Sequence, residues 1–398
     1  MEVIEHASLP PYRLPRRGLG ERWTVRIPPH FSDCVAFLCA QRKGRAGGTA
    51  FFIELDEGRD TWTYLITAQH SLEEGLGRDI HVRVNTHPSI GSDLGFEDIQ
   101  TRKEDWFQHN SADVAAIISP IDSQRHAIQK IPADLFIDNR YRFDAARLTG
   151  RGNPALEAAL KSNFPDGIDV QVGDEVFAPG LFLQSAGKNR NLPVVRFGNI
   201  ARMPEGELLA LATEHKTTFI RGYLAETHSW GGYSGSPVFW HYEYNFVRPI
   251  IAVPQGRPVP SRLALDQRPP QPEPMHVMTG RGWATALLGL VSGHYGIPTK
   301  AKDRSVETEL NAGIGIVTPA ANIVELLMRE DVVEQRQKRK LDAEADEPRA
   351  IADSALSDEG LQRTLAKNEK DRIAIPILTK QQFFDDLTKA TRKRGKRK

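Results

Sequence analysis

Residues 47–72 read GGTAFFIELDEGRDTWTYLITAQHSL, and their pattern predicts the class of fold. The apolar runs Thr49–Glu54 and Thr63–Thr67 are short and rich in β-branched and aromatic side chains. Gly and Asp residues lie between the two runs. Runs of this length and composition, bounded by turn-forming residues, are typical of β-strands. The second run leads almost directly into His70.

Similar short runs recur along the chain and predict an all-β protein. The 32 glycines and 26 prolines indicate many turns between strands. A last strand runs into Pro319, where a helix begins with Ile323, Leu326 and Leu327 as its apolar stripe. The predicted strands are Cys34–Cys39, Thr49–Glu54, Thr63–Thr67, Ile80–Val84, Val114–Ile118, Val170–Val172, Glu175–Phe177, Val194–Phe197, Asn199–Arg202, Thr218–Leu224, Pro237–Trp240 and Leu287–Ser292.

The charge balance argues against functions that require a strongly charged protein to attract its ligand. The 398 residues include 52 Lys plus Arg and 51 Asp plus Glu, which gives a formal net charge of +1. A chain this close to neutrality lacks the signature of a nucleic-acid or membrane-surface binder. The sequence shows no apolar leader and no apolar run of membrane-spanning length, so we expect a cytoplasmic protein.

The two cysteines, Cys34 and Cys39, argue against a disulfide framework and a Cys-rich zinc module. They lie five residues apart in one predicted strand, where their side chains point to opposite faces. No His, Cys, Asp and Glu residues have metal-ligand spacing, and no Gly-rich phosphate loop is found. We therefore expect neither a metal nor a cofactor.

Three local patterns carry chemistry. His70 follows a strand, Asp113 begins the strand of SADVAAII (111–118), and Ser234 lies in the Gly-rich turn GGYSGSPVF (231–239). The order His, Asp, Ser is one of three common orders of a Ser-His-Asp triad, and the other two do not fit. A serine hydroxyl is a weak nucleophile until an adjacent imidazole takes its proton. A carboxylate on the other ring nitrogen holds the imidazole in the tautomer that can do so.

Each candidate has competitors of the same residue type. The contexts ITAQH, ADVAAI and Gly-x-Ser-Gly-x-Pro favour His70, Asp113 and Ser234. The nearest alternatives are Asp105 for the carboxylate, and Ser229 and Ser236 for the nucleophile.

Taken together, these motifs resemble those of the trypsin-like serine peptidases of the two-barrel chymotrypsin fold. The pattern is closest to bacterial Deg-type and glutamyl-endopeptidase-like members. GTAFFI…YLITAQH resembles the family's strand pair ahead of the histidine, ADVAAI the strand at the aspartate, and GYSGSPVF the nucleophile turn. ALLGLVSGHYG (286–296) resembles the strand that forms one wall of the substrate cleft. The resemblance covers about 24–330 and implies two six-stranded antiparallel β-barrels with the active site between them.

The resemblance and the composition together predict four segments. Residues 1–23 form an extended lead-in, and 24–150 form the first barrel with His70, Asp113 and a linker. Residues 151–330 form the second barrel with Ser234, a Pro-rich insertion at 241–283 and the closing helix. Residues 331–398 form a charged, mostly disordered tail.

The resemblance also implies which residues meet the substrate. The backbone N–H groups of Gly232 and Ser234 would form the oxyanion hole, and glycine permits the turn that this requires. The residues that would line the primary pocket are His228 and Ser229 at its floor and Ser292, Gly293 and His294 in its wall. The floor holds no carboxylate, so we expect small or medium uncharged side chains at the cleaved position. Cleavage after acidic residues, through His228 or His294, is the second possibility.

Tyr233 departs from the animal members of the family, which carry Asp at this position. A new N-terminus would find no carboxylate here, so activation by N-terminal cleavage is not expected. The predicted function is that of a serine endopeptidase acting on protein or peptide substrates. A catalytically silent binding module and a protease gated by a regulatory protein partner remain alternatives. The basic end of the tail, TRKRGKRK (391–398), is the one feature that fits nucleic acid or an acidic partner.

Overall fold

The computed structural model describes residues 27–73, 76–87, 95–122, 124–144, 147, 164–212, 217–227, 232–250, 276–300 and 307–342. The predicted lead-in at 1–23 lies outside these residues, as do 251–275 of the insertion and 343–398 of the tail. No helix in the described part of the chain is long and apolar enough to cross a membrane.

The first half of the chain forms one curled sheet of eight strands. The short helix α1 (His30–Asp33) precedes the sheet, and α2 (Gln69–Glu73) follows its third strand. The strands are β1 (Val35–Cys39), β2 (Ala46–Glu57), β3 (Asp60–Thr67), β4 (Asp79–Asn85), β5 (Phe96–Arg102), β6 (Phe107–Gln108), β7 (Ala115–Ile118) and β8 (Ile131–Pro132). They lie in the order β5-β4-β1-β2-β3-β7-β6, and β8 pairs with β2 in parallel.

The second half forms a closed six-stranded barrel in the order β11-β12-β15-β18-β17-β16. Its strands are β11 (Glu175–Gly180), β12 (Val194–Arg202), β15 (Tyr223–Glu226), β16 (Pro237–Ile250), β17 (His276–Lys300) and β18 (Glu307–Pro319). Two small pairs accompany it: β9 (Arg142–Phe143) with β10 (Ile168–Asp169), and β13 (Leu209–Ala212) with β14 (Thr217–Ile220). Helix α3 (Ala320–Leu327) closes this half and buries the predicted stripe of Ile323, Leu326 and Leu327.

The predicted all-β, two-barrel architecture is confirmed, with one difference in its first half. That half is a curled eight-stranded sheet that includes the parallel strand β8, whereas we predicted a six-stranded antiparallel barrel. The two halves have separate cores. Leu38, Phe52 and Leu65 belong to the first, and Val176, Trp240 and Leu288 belong to the second. Alternation along each strand directs these side chains to the inner face, as expected for a period of two.

Two predicted boundaries were wrong for reasons that lie in glycine residues. The predicted strands on either side of Gly198 form one strand, β12, because this glycine lets the backbone pass close to Glu226; a Cβ here would lie 2.1 Å from the Glu226 carbonyl oxygen. The predicted strand Thr218–Leu224 is instead two strands, β14 and β15, in different sheets. The chain changes sheet at Gly222, where a Cβ would lie 2.8 Å from the Val317 carbonyl oxygen. Ile168–Asp169 forms a strand just before the predicted Val170–Val172.

The ends of the predicted insertion are regular structure. Strands β16 and β17 stay paired from Pro237 with Leu290 out to Ile250 with His276, so a two-stranded ribbon extends from the barrel. The predicted insertion at 241–283 therefore begins and ends as β-strand. The chain after α3 is helical over 330–342 (α4), which lies within the predicted tail.

Both cysteines are free and buried. Burial raises the pKa of Cys39 to about 11, and it raises the pKa of Cys34 further still. A thiol with a raised pKa holds little thiolate at neutral pH, and the thiolate is the reactive form. Neither cysteine has the properties of a nucleophile.

Gly180 and Ser236 pack against each other beside the predicted nucleophile turn. A Cβ on Gly180 would lie 2.0 Å from Ser236 Oγ and 3.0 Å from Ser236 Cβ. The Ser236 hydroxyl is buried and has no hydrogen-bond partner among the described residues. This packing accounts for glycine at 180, since the serine at 236 fills the space of its missing side chain.

We predict that Gly180→Ala lowers the free energy of unfolding by about 1–3 kcal/mol, the usual cost of overpacking. The double variant Gly180→Ala/Ser236→Gly should be more stable than Gly180→Ala alone, because it removes both close contacts to Ser236. Urea unfolding of the two variants and the wild type measures this. A double variant no more stable than Gly180→Ala would show that the steric pair is not the cause.

Candidate active site

His70 and Asp113 form a two-point contact in the first sheet. The His70 ring nitrogen Nδ1 lies 2.8 Å from Asp113 Oδ2, and the His70 backbone N–H donates to Asp113 Oδ1 at 2.9 Å. Both side chains are buried. A carboxylate can only accept hydrogen bonds, so Nδ1 carries the proton and Nε2 of the neutral ring is the basic nitrogen. The ring is therefore held in the tautomer that accepts a proton from a serine hydroxyl.

The loop that carries Asp113 contacts the closing helix α3 and the residue Arg329 that follows it. His109 Nδ1 accepts the backbone N–H groups of Ser111 and Ala112 at 3.1 and 3.0 Å, and its Nε2 lies 3.4 Å from the Glu325 carboxylate. Arg329, just after α3, donates to the Gln108 carbonyl at 2.6 Å. No local pattern predicts the contacts to Glu325 and Arg329, because these residues lie more than 200 positions away from this loop.

Asp105, the alternative carboxylate, lies elsewhere. It ends a 3₁₀ turn, Lys103–Asp105, and its side chain accepts the Arg102 backbone N–H at 3.2 Å. Its role is that of a local cap, and the structure joins Asp113 to His70 instead.

Ser234 lies in a turn that packs directly on the strands leading to His70. Gly232 and Gly235 both have positive φ, at 91° and 83°, which glycine adopts without strain. A Cβ on Gly235 would lie 2.1 Å from the Thr49 carbonyl oxygen and 2.4 Å from Thr67 Oγ1. Only glycine allows this approach, and it sets the turn against Thr67, three residues before His70. Ser234 itself is half-buried, whereas the alternative Ser236 is fully buried.

The backbone around Gly232 and Ser234 contacts the first sheet through its carbonyl groups. Neither residue's N–H donates to a backbone acceptor within the described ranges. The carbonyl groups of both residues accept hydrogen bonds from Thr49. Leu181 and Leu183 lie against Gly232, with Leu183 Cγ 2.9 Å from where its Cβ would be.

Tyr233 anchors the turn in the second barrel. Its buried hydroxyl donates to the carbonyl of Ala178 at 2.7 Å and lies close to that of Val194. The Arg196 guanidinium lies 4.7 Å from the centroid of the Tyr233 ring, in cation–π contact. Burial raises the pKa of the Tyr233 phenol far above its usual range, although Arg196 opposes the shift, so the hydroxyl remains a donor.

The predicted wall of the substrate cleft is only partly at the surface. Ser292 is fully buried, and its Oγ lies 2.6 Å from Thr318 Oγ1. Gly293 is half-buried and His294 is exposed. Strand β17 pairs with β18 along this stretch, but its pairing with β16 ends at Leu290. In the described part of the chain, the edge of β17 that faces away from β18 is not paired with any strand from Ser292 onward.

Leu211 of β13 packs on this wall. A Cβ on Gly293 would lie 2.6 Å from Leu211 Cδ1. The strand pair β13–β14 is held there by a small apolar cluster of Leu209, Leu211, Ile220 and Ile316. The predicted floor residues His228 and Ser229 lie outside the described residues. No group of three or more His, Cys, Asp or Glu side chains within the described ranges is arranged to hold a metal ion.

The chain is distantly similar to solved structures. No protein-family profile matches the chain, and no curated protein matches it. A crystal structure of the Rv3671c protease in its inactive form is similar, with 14% identity, a TM-score of 0.32, and coverage of 75% of this chain and 88% of that one. Human heparin binding protein is similar with 10% identity, a TM-score of 0.36, and coverage of 76% and 93%. Likenesses this distant carry no argument about activity.

We predict that Tyr233→Phe lowers the free energy of unfolding by about 1–3 kcal/mol, because buried carbonyl groups lose their donor. Tyr242→Phe is the matched control. The half-buried Tyr242 ring stacks on Trp240 at 5.4 Å, and this contact survives the loss of a hydroxyl. Thermal and urea unfolding measure both variants. Equal stability of the two would contradict an anchoring role for the Tyr233 hydroxyl.

Proposed function

We propose that this protein is a serine endopeptidase that cleaves peptide bonds through His70, Asp113 and Ser234. The observation that carries the proposal is the two-point contact of Asp113 with the His70 ring and backbone, at 2.8 and 2.9 Å. A carboxylate in this place fixes both the position and the tautomer of the imidazole. The packing of the Ser234 turn on the end of β3, three residues before His70, supports the assignment of the nucleophile.

The proposed reaction gives each of these residues one role in acylation and deacylation. His70 Nε2 takes the proton of the Ser234 hydroxyl as its oxygen attacks the substrate carbonyl carbon. The carbonyl π electrons move to oxygen, and the N–H groups of Gly232 and Ser234 stabilise this oxyanion. The protonated His70 then gives its proton to the leaving amine as the peptide bond breaks. Water, deprotonated by His70, hydrolyses the acyl-enzyme and restores Ser234.

The free edge of β17 after Ser292 supports an extended peptide as the substrate. An extended chain can add to an unpaired strand edge through backbone hydrogen bonds. Such bonds do not depend on the substrate's side chains. Selectivity at the cleaved position then falls to the primary pocket.

We predict that a fluorophosphonate probe labels the full-length wild type and not Ser234→Ala. His70→Ala should lower the turnover of a small ester by several orders of magnitude, and Asp113→Asn by about 10⁴-fold, because the neutral amide favours the wrong tautomer. Asp105→Asn is the matched control and should retain wild-type turnover. Unlabelled but folded wild-type protein would favour the silent binding module. Labelling that appears only with a partner present would favour the gated protease.

We further predict that the enzyme prefers small or medium uncharged residues at the cleaved position. His294 is exposed beside the wall of the cleft, and a buried charge in a pocket without a counter-charge costs several kcal/mol. A peptide library scanned at this position, with Ser234→Ala as the blank, measures the preference. Dominant cleavage after Arg or Lys would contradict the prediction. Dominant cleavage after Glu would instead indicate that a histidine in the pocket selects acidic residues at the cleaved position.

A further inference from the structure

Thr49 of β2 contacts the nucleophile turn through both its side chain and its backbone. Its side chain is fully buried. Its hydroxyl donates to the Gly232 carbonyl at 2.7 Å, and its backbone N–H donates to the Ser234 carbonyl at 3.0 Å. The two peptide carbonyls of the turn are therefore held by one residue from the other half of the protein.

The Thr49 hydroxyl also has a second partner. It accepts the Leu181 backbone N–H at 3.0 Å while it donates to Gly232. A hydroxyl has one donor and can accept in addition, so this arrangement uses both capacities. Leu181 itself lies against Gly232, with Cδ2 3.1 Å from the place of its missing Cβ. A single oxygen atom thus fixes the turn and the segment that covers it.

The same residue is tied to the strand that carries the base. Thr67 Oγ1 donates to the Thr49 carbonyl at 2.7 Å, and Thr67 lies three residues before His70. A continuous chain of hydrogen bonds therefore runs from the strand of His70, through Thr49, to the carbonyls of Gly232 and Ser234. The relative position of base and nucleophile depends on this chain.

We propose that Thr49 is a positioning residue that sets the orientation of the oxyanion turn through its hydroxyl. The proposal rests on the proposed function. The Gly232 and Ser234 carbonyls belong to the peptide groups on either side of the one that carries the Ser234 N–H. Holding both carbonyls therefore restricts the direction of that N–H, which acts on the transition state more than on the bound substrate. Loss of the Thr49 hydroxyl should therefore lower kcat and leave KM nearly unchanged.

The experiment compares Thr49→Val, which keeps the shape and removes the hydroxyl, with Thr49→Ser, which keeps the hydroxyl. Thr101→Val is the matched control, because Thr101 is also buried, donates to the Ile80 carbonyl at 3.1 Å and accepts the Trp106 Nε1–H at 3.1 Å, in a separate part of the same sheet. The substrate is p-nitrophenyl acetate, and urea unfolding measures the stability of each variant.

We expect Thr49→Val to lower kcat by about 10²-fold, the effect of a misplaced oxyanion donor, with KM within about threefold of wild type. Thr49→Ser should recover most of kcat. Thr101→Val should lose similar stability and keep wild-type kcat. Unchanged kcat in Thr49→Val, or an equal fall in both valine variants, would overturn the proposal.

A second measurement does not require activity. Hydrogen exchange of the peptide that spans 232–236 should be faster in Thr49→Val than in wild type, and unchanged in Thr101→Val. Equal exchange in all three proteins would overturn the proposal. An inactive wild type whose turn nevertheless loosens in Thr49→Val would leave the positioning role of Thr49 intact and count against peptidase activity alone.

Discussion

The candidate site depends on the absence of one side chain, at Gly235. Its backbone lies so close to the first sheet that a Cβ would be 2.1 Å from the Thr49 carbonyl oxygen, well inside van der Waals contact. This approach brings a turn of the second barrel against the end of β3, three residues before His70. The proposed base and nucleophile come from halves with separate cores, and this is one of the places where their backbones meet.

Around that contact, side chains from both halves hold the nucleophile turn. Thr49 holds its carbonyls from the first sheet, and Tyr233 anchors it to Ala178 in the second barrel. The buried hydroxyls of Thr49 and Tyr233 both have hydrogen-bond partners, which makes the arrangement costly to disturb. The turn is therefore held by hydrogen bonds from both halves of the fold.

Much of the fold could be predicted because its strands are short, apolar and bounded by turn residues. The sequence also favoured Asp113 over Asp105, and Asp113 is the carboxylate that lies beside His70. The contacts of Thr49 and His109 could not be predicted, since threonine and histidine have no local pattern that reveals a partner distant in sequence. The strand boundaries at Gly198 and Gly222 were predicted wrongly for a related reason. A glycine can let a strand continue or let the chain leave its sheet, and which of the two occurs depends on the contacts with the neighbouring strand.

The packing of Leu211 on Gly293 has a consequence for the design of altered proteins. The two residues share one volume, with the leucine filling the space that a side chain on the wall strand would need. The β13–β14 pair and the wall strand therefore fit each other sterically. Replacing either one alone with the corresponding segment of another protein would disturb this fit. A graft that moved both together would carry the lining of the cleft with it and leave His70 and Asp113 untouched, because those residues belong to the other half of the fold.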